Sequence, residues 1–400
     1  MLTVKTLDDT LQIIRERFGM LRSGKETVPI REALGRFLAV SVTADEFVPD
    51  FNRSTVDGFA VRAVDVQGSS DSIPAILTCV GEVHMGQGSF FRVGDDQCAS
   101  VPTGGEVPAG ADSVVMMEFV EAIGGGQYAF YKPSPPGSNM IIRGEDGKPG
   151  DLLLWQGKRL NSADLGTLSA LGSSEVSVST RPKVGIISTG DELVNPGEPL
   201  GPGQIRDVNQ VLLRALVEEN DGIAKFYGIV IDEVSALRTR VVQAVAECDL
   251  VLVSGGTSVG ERDAMAKVLS QLGEIFVHGI AVKPGKPTLL GKIDDKPIFG
   301  LPGNPVACFF IFNALVKPLL LSLQGAEETR VSLPAKLTRA VSSNHGRAEF
   351  VLVELSGSQA APIPSKSGLI STVSKANGYF VIQRDQEGLP AGADVEIYLF

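Results

Sequence analysis

Several short segments of this 400-residue chain combine residue types that could grip an anion and a cation at one site. The stretch VGIIS runs into Thr189-Gly190-Asp191-Glu192, and DLVLVS, ending in Ser254, runs into Gly255-Gly256-Thr257-Ser258-Val259-Gly260 with Asp263 just beyond. Glycines let the backbone approach an anion and expose its N–H groups, and a following helix N-terminus adds positive potential. Ordinary tight turns are the other reading, because short glycine motifs are common.

Lys283-Pro284-Gly285-Lys286-Pro287 sets two lysines three apart between apolar segments, and its prolines restrict the backbone. Lysine is a compact charge suited to phosphate or molybdate, and rigid cations between buried strands of an acidic chain favour anion binding over a solvated pair. In Leu301-Pro302-Gly303-Asn304-Pro305, Asn304 can N-cap a helix with Pro305 in its first position. That helix start is either a second anion site or a plain cap. Asp232 follows AKFYGIV and Asp207 follows QIR. An N-cap suits Asp207, whereas Asp232 can cap or hold Mg2+, which takes carboxylates with substrate phosphates and waters. Ser54 to Ala60, containing Asp57, and Pro102-Thr103-Gly104-Gly105 are turn-like segments with polar residues that no fold rule requires.

These loops need a scaffold, and residues 181–325 supply one by alternating strand and helix. VGIIS, AKFYGIV, DLVLVS and PTLLGKI read as strands; Val208, Leu212 and Leu216, and Val234, Leu237, Val241 and Val245, mark helices. A mostly parallel sheet covered by helices follows. Ligands of such sheets sit outside the carboxyl ends of the strands, where these loops lie.

Elsewhere, Leu7, Leu11, Ile14, Phe18 and Leu21 recur at helical spacing behind Thr6 as N-cap, with Asp8 and Asp9 in the first turn. From about Val42 to Tyr131, short β-rich pieces punctuated by glycine suggest a small all-β domain, and YKPSPPGSN reads as the linker out of it. The β domain thus looks inserted into a helical one. LPAKLTRAV, AEFVLVEL, GYFVIQ and DVEIYLF predict a terminal β-sheet or barrel. The expected fold is a multidomain α/β chain.

Four hundred residues exceed what one core usually serves, and 43% hydrophobic with 21% charged residues is an ordinary globular balance. A net charge of −11, without long single-sign runs, argues against a nucleic-acid or membrane-surface partner, so an anionic substrate needs a local basic pocket. Cys79, Cys98, Cys248 and Cys308 are widely spaced with no C-x-x-C, which suits reduced thiols better than a zinc site. Residues Val306 to Leu323 are apolar but interrupted by Asn313, Lys317 and Pro318, as in a buried helix ending in a kink rather than a membrane span. The start shows no signal-peptide pattern, and a cytoplasmic location is expected.

STVDGFA, PTGGEVPAGADSVV, RGEDGKPGD, STGDEL, QIRDVNQ, SGGTSVGERD, KPGKP, LPGNPVACF and SGLISTVSKANGY resemble the MoeA family, which includes the insertase half of gephyrin, in order and spacing. The resemblance spans essentially the whole chain. It implies an elongated subunit of four domains: a helical linker domain (1–45 plus 141–180), an inserted β domain (46–140), a MogA-like α/β domain (181–325) and a C-terminal β-barrel domain (326–400).

It also implies a homodimer whose cleft lies between the third domain of one subunit and the inserted domain of the other. The reaction implied takes adenylylated molybdopterin and molybdate with a divalent cation, inserts the metal into the dithiolene, and releases AMP. Asp57, Thr103, Asp146, Glu192, Asp232 and Asp263 fall on its catalytic motifs, with Glu192, Asp232 and Asp263 expected to hold Mg2+. Thr189, Gly190, Asp191, Ser254, Gly255, Gly256, Ser258, Gly260, Lys283, Lys286, Pro302, Asn304, Pro305, Arg347 and Ser371 are the expected substrate contacts. MogA-like and other cofactor-biosynthesis proteins are the implied partners.

Three positions depart from the family pattern. Gly279 stands where a basic residue is frequent, Ala307 where Ser is, and Arg206 where an aromatic residue is more usual. These departures keep a non-catalytic molybdopterin-binding paralogue and a tungstate preference open as alternatives. The inserted domain and its DGFA motif argue against a MogA-like adenylyltransferase.

Overall fold

The computed structural model describes residues 4–256 and 264–400. Helix α1 (Leu7–Phe18) opens with the expected box: Thr6 accepts from the Asp9 amide and Asp9 reaches back to the Thr6 amide. Its apolar face buries Ile14 and Phe18 in the same core as Val184, Leu213 and Phe310, so the opening helix packs on the α/β unit. The segments after it form ladders, Lys25–Pro29 with Glu175–Ser179 and Val42–Thr43 with Leu152–Leu154, beside helix α2 (Ser162–Ala170). The expected elongated helical linker domain thus carries short strand ladders as well as helix. Buried Arg36 bolts it to the α/β unit, its Nε 3.0 Å from Asp221 and a terminal nitrogen 2.5 Å from Glu26.

The glycine-punctuated region forms one sheet from β1 (Gly58–Val61), β2 (Ala75–Glu82), β3 (Gln97–Val101), β4 (Ser113–Met116), β5 (Val120–Gly124) and β6 (Gln127–Phe130). The strand order is β4-β1-β3-β2-β6-β5. The expected linker is tied to this sheet: Ser113 Oγ donates to Ser134 Oγ, and Asn139 Nδ2 to Val114 O.

The central sheet contains β7 (Lys183–Thr189), β8 (Ile223–Val230), β9 (Leu250–Ser254), β10 (Glu274–His278), β11 (Leu289–Ile293) and β12 (Lys296–Leu301), ordered β8-β7-β9-β12-β11-β10. The first four are parallel, and at the edge β11 alone runs the other way, paired antiparallel with both β12 and β10. β9 is buried at every position, as continuous apolar strands covered on both faces must be. α3 (Val208–Glu219), α4 (Val234–Glu247) and α5 (Ala264–Leu272) cover it, and β7 and β9, which carry the two glycine loops, are neighbours.

α6 (Pro305–Ile311), a π-helical turn (Phe312–Val316) and α7 (Lys317–Leu323) form one apolar run. Pro318 lacks an N–H and crowds the preceding turn, and the widened π turn accommodates it. The run, Pro305–Leu323, has the length and mean hydropathy (2.0) of a membrane span, yet 78% of it is buried inside the fold. It is the core helix.

Strands β13 (Ser332–Leu337), β14 (Ala348–Ser356), β15 (Gln359–Pro362), β16 (Gly378–Ile382) and β17 (Asp394–Leu399) close into a barrel in the order β14-β15-β13-β17-β16-β14. Phe310 stacks on Phe350 with centroids 4.8 Å apart and meets Tyr379 edge-on, so barrel and α/β unit share a core.

Candidate functional site

At the carboxyl ends of β7, β8, β9 and β12, a pocket of about 710 Å³ is lined by Thr189, Gly190, Glu192, Asp207, Asn209, Asp232, Ser254, Gly255 and Gly256, with Asn304 and Pro305 opposite. Both glycine loops reach this pocket, and the need for glycine in them is steric. Gly255 and Gly256 have φ of +88° and +63°, and a Cβ on them would stand 2.3 Å from Thr189 O and 2.8 Å from Thr189 Oγ1. Glycine is the residue that fits. A Cβ on Gly190 would likewise stand 2.7 Å from a Glu192 carboxylate oxygen.

Beneath them, Asp207 N-caps α3 by accepting from the Gln210 amide at 3.0 Å. Asn209 Nδ2 donates to Ser254 Oγ (2.6 Å) and Gly303 O (2.8 Å), linking the ends of β9 and β12. Asp191 turns to accept from the Asp232 amide at 3.1 Å, so it braces the loop that presents Asp232. Three buried oxygens of this floor, Thr189 Oγ1, Asp207 Oδ2 and Asn209 Oδ1, have no partner within the described residues. Arg206 lies at the rim, its Nε held by Pro196 O at 3.0 Å.

A second pocket, of about 440 Å³, shares Pro287 and Asn304 with the first. Lys283, Lys286, Pro302, Ala307, Arg347, Glu349, Ser365, Lys366 and Ser367 line it. Its assembly depends on one pairing: Val282–Lys283 runs parallel to the start of β14, with Lys283 opposite Glu349. This joins the KPGKP lysines to Arg347 on the barrel. Asn304 is the N-cap residue of α6, with Pro305 in the first turn, but its side chain makes no capping bond. It lines both pockets instead.

The two pockets carry opposite charge. Four cations, Lys283, Lys286, Arg347 and Lys366, line the basic half with one carboxylate, Glu349. Three carboxylates, Glu192, Asp207 and Asp232, face Arg206 in the other. The charge distribution suits a ligand that is anionic at one end and accompanied by a cation at the other. No group of three metal-ligating side chains occurs among the described residues. Glu192 and Asp232 line one pocket, and Asp263, expected as the third ligand, lies outside the described residues, as do Ser258 and Gly260. Two carboxylates still fit Mg2+, which keeps waters and takes substrate phosphates.

Other expected residues lie elsewhere. Asp57 accepts from the Thr103 amide at 2.8 Å and lines a pocket of the inserted sheet with Glu82, His84 and the exposed Met85 and Met117. Asp146 lines another with Arg53 and Glu145. Ser371 begins the five-residue helix α8, exposed and outside the basic pocket, whose serines are Ser365 and Ser367. Sequence reading missed Ser365, Lys366 and Ser367; the first two sit just before the SGLIST segment and Ser367 opens it, and only a Pro/Ser/Lys loop lining the same pocket as the KPGKP turn betrays them.

The cysteines stay out of the chemistry. Burial pushes the Cys98 thiol up to about 12, and pushes Cys308 and Cys248 up as well, so these thiols remain protonated near neutral pH.

Known proteins match along the length of the chain. Family models match at residues 5–172 (MoeA N-terminal region, domain I and II), 185–322 (probable molybdopterin binding domain) and 334–400 (MoeA C-terminal region, domain IV). The chain is 36% identical over 381 residues to a putative molybdopterin biosynthesis protein of Methanocaldococcus jannaschii, covering 93% of this chain and 91% of that one. It is 32% identical over 384 residues to a molybdopterin molybdenumtransferase of Bacillus subtilis, covering 94% and 89%. A crystal structure of a molybdopterin biosynthesis MoeA protein from Pyrococcus horikosii superposes with a TM-score of 0.85 at 39% identity, over 99% of each chain. With the three matching regions in the order of its own inserted sheet, α/β unit and barrel, the chain belongs to the MoeA family.

Proposed function

We propose that this protein is a molybdopterin molybdenumtransferase that inserts molybdenum, supplied as molybdate, into the dithiolene of adenylylated molybdopterin and releases AMP. The observation that carries the reading is the joined pair of oppositely charged pockets meeting at Pro287 and Asn304. The names of the relatives agree with it.

Lys283, Lys286, Arg347 and Lys366 attract the oxyanion, with Arg347 offering a planar fork of donors. The Gly190 and Gly255 amides are tied to Val230 O and Leu301 O, so these glycines serve by close backbone approach, while Thr189 Oγ1 offers the phosphates a buried hydroxyl with no partner among the described residues. Glu192 and Asp232, with Asp263 as the expected third ligand, would hold Mg2+. When bound, that ion offsets phosphate charge and polarises the phosphoanhydride. A carboxylate of the same pocket orients the attacking water, so the chain contributes mainly position and electrostatics. The thiolates that receive the metal belong to the pterin.

Asp57 and Thr103 enter through a second subunit, completing the cleft of a homodimer. Their exposure beside Met85 and Met117 supports that role. The protein works in the cytoplasm, where its four free cysteines stay reduced.

Ala307, an apolar patch in the wall of the basic pocket, favours a second reading in which the protein binds the pterin without turnover. Mixing pure protein with adenylylated molybdopterin, Mg2+ and molybdate decides between them. AMP release with formation of active cofactor is expected, and its loss in Asp232→Ala. Binding without AMP release would overturn the transferase reading in favour of the second, and repeating the assay with tungstate measures the metal preference.

A further inference from the structure

The basic pocket contains a group that an anion site does not require. Glu349 lies in its wall, with one carboxylate oxygen 2.8 Å from Lys283 Nζ and the other accepting from Ser343 Oγ at 2.6 Å. The two partners of the ion pair differ in freedom. Glu349 is 14% exposed, and its backbone is held between Lys283 on one side and Ile382 of β16 on the other. Lys283 is 41% exposed on a flexible four-carbon stem. The ammonium can swing toward an incoming ligand, whereas the carboxylate stays where it is.

We propose that Glu349 is a resident competitor for Lys283, a positioning residue that weakens oxyanion binding so that the bound metal can leave for the pterin. This rests on the reading of the basic pocket as the oxyanion site. The direction follows from charge. A fixed carboxylate at ion-pair distance from a pocket cation opposes any anion placed there, and the opposition doubles for a dianion. What Glu349 gives in return is the ordering of one lysine stem, the smaller of the two effects. Three cations with no carboxylate partner among the described residues, Lys286, Arg347 and Lys366, would otherwise grip the oxyanion in its ground state, and tight ground-state binding adds nothing to turnover.

The test measures molybdate and tungstate binding by titration calorimetry for the wild type, Glu349→Asp and Glu349→Gln. Affinity should rise in that order, by about tenfold or more for Glu349→Gln, because Asp withdraws the charge from Lys283 and Gln removes it. In the AMP-release assay, Glu349→Gln should lower KM for molybdate and kcat together, a split that mere loss of structure does not produce. A flat or reversed order of affinities would overturn the assignment and leave Glu349 as a support for Lys283. A wild-type chain that binds neither oxyanion would remove the oxyanion reading itself, and this assignment with it.

Discussion

Among the cations of the basic pocket, exposure separates strong contacts from weak ones. Arg347 is half-buried and presents parallel donors, whereas Lys286 is exposed and its charge is screened by water. A charged hydrogen bond in a partly buried site is worth roughly 1.5 to 3 kcal/mol, against about 0 to 1 for an exposed pair. Arg347→Ala should therefore raise the tungstate dissociation constant ten- to a hundredfold, and Lys286→Ala by less than about tenfold. Calorimetry that ranked them the other way would show that the oxyanion sits nearer the KPGKP turn than the barrel. Among the acidic groups, Asp191 shows how a motif residue can act through the backbone: its carboxylate is spent on the Asp232 amide.

At the scale of elements, the loop after β9 is built around the strand beside it. Gly255 sits so close to Thr189 O that a Cβ cannot enter without moving the end of β7. Gly255→Ala should cost about 1 to 3 kcal/mol of stability from backbone strain alone and weaken binding in the acidic pocket. Gly197→Ala, at a glycine with open space around it, should stay within about 0.5 kcal/mol. Thermal melts of the two variants check the contrast, and equal shifts would mean that the close approach is not maintained. The same logic explains why the KPGKP segment forms no isolated clamp: its short strand is fastened to β14, and that pairing sets its lysines against the barrel.

For the molecule as a whole, Phe310 is the hinge pin of the energetics. It lies in α6, is buried, and stacks on Phe350 and meets Tyr379 edge-on in the barrel while touching the core of the α/β unit. Truncating it leaves a large cavity, so Phe310→Ala should cost about 3 to 5 kcal/mol. Because barrel and α/β unit share that core, calorimetry should show both losing stability together; a barrel that melted separately and unchanged would refute the shared core.

Much of this fold is legible in the amino-acid sequence. Alternating strand and helix from 181 to 325, the capped opening helix, the inserted β region and the Asp207 cap follow from periodicity and local hydrogen bonding, which neighbours in the chain decide. Gly255, Gly256, Asn304 and the KPGKP lysines, which line the two pockets, stand out in the sequence for the same reason: their backbone and charge properties belong to the residue types. Tertiary structure alone decided what those residues face. It packed α1 onto the α/β core, put Ser365 to Ser367 in the basic pocket rather than Ser371, divided the site into halves of opposite charge, and set Glu349 against Lys283. Those outcomes depend on strands and loops distant in the chain meeting in one register, and no local pattern of residues encodes which charge will lie across from which.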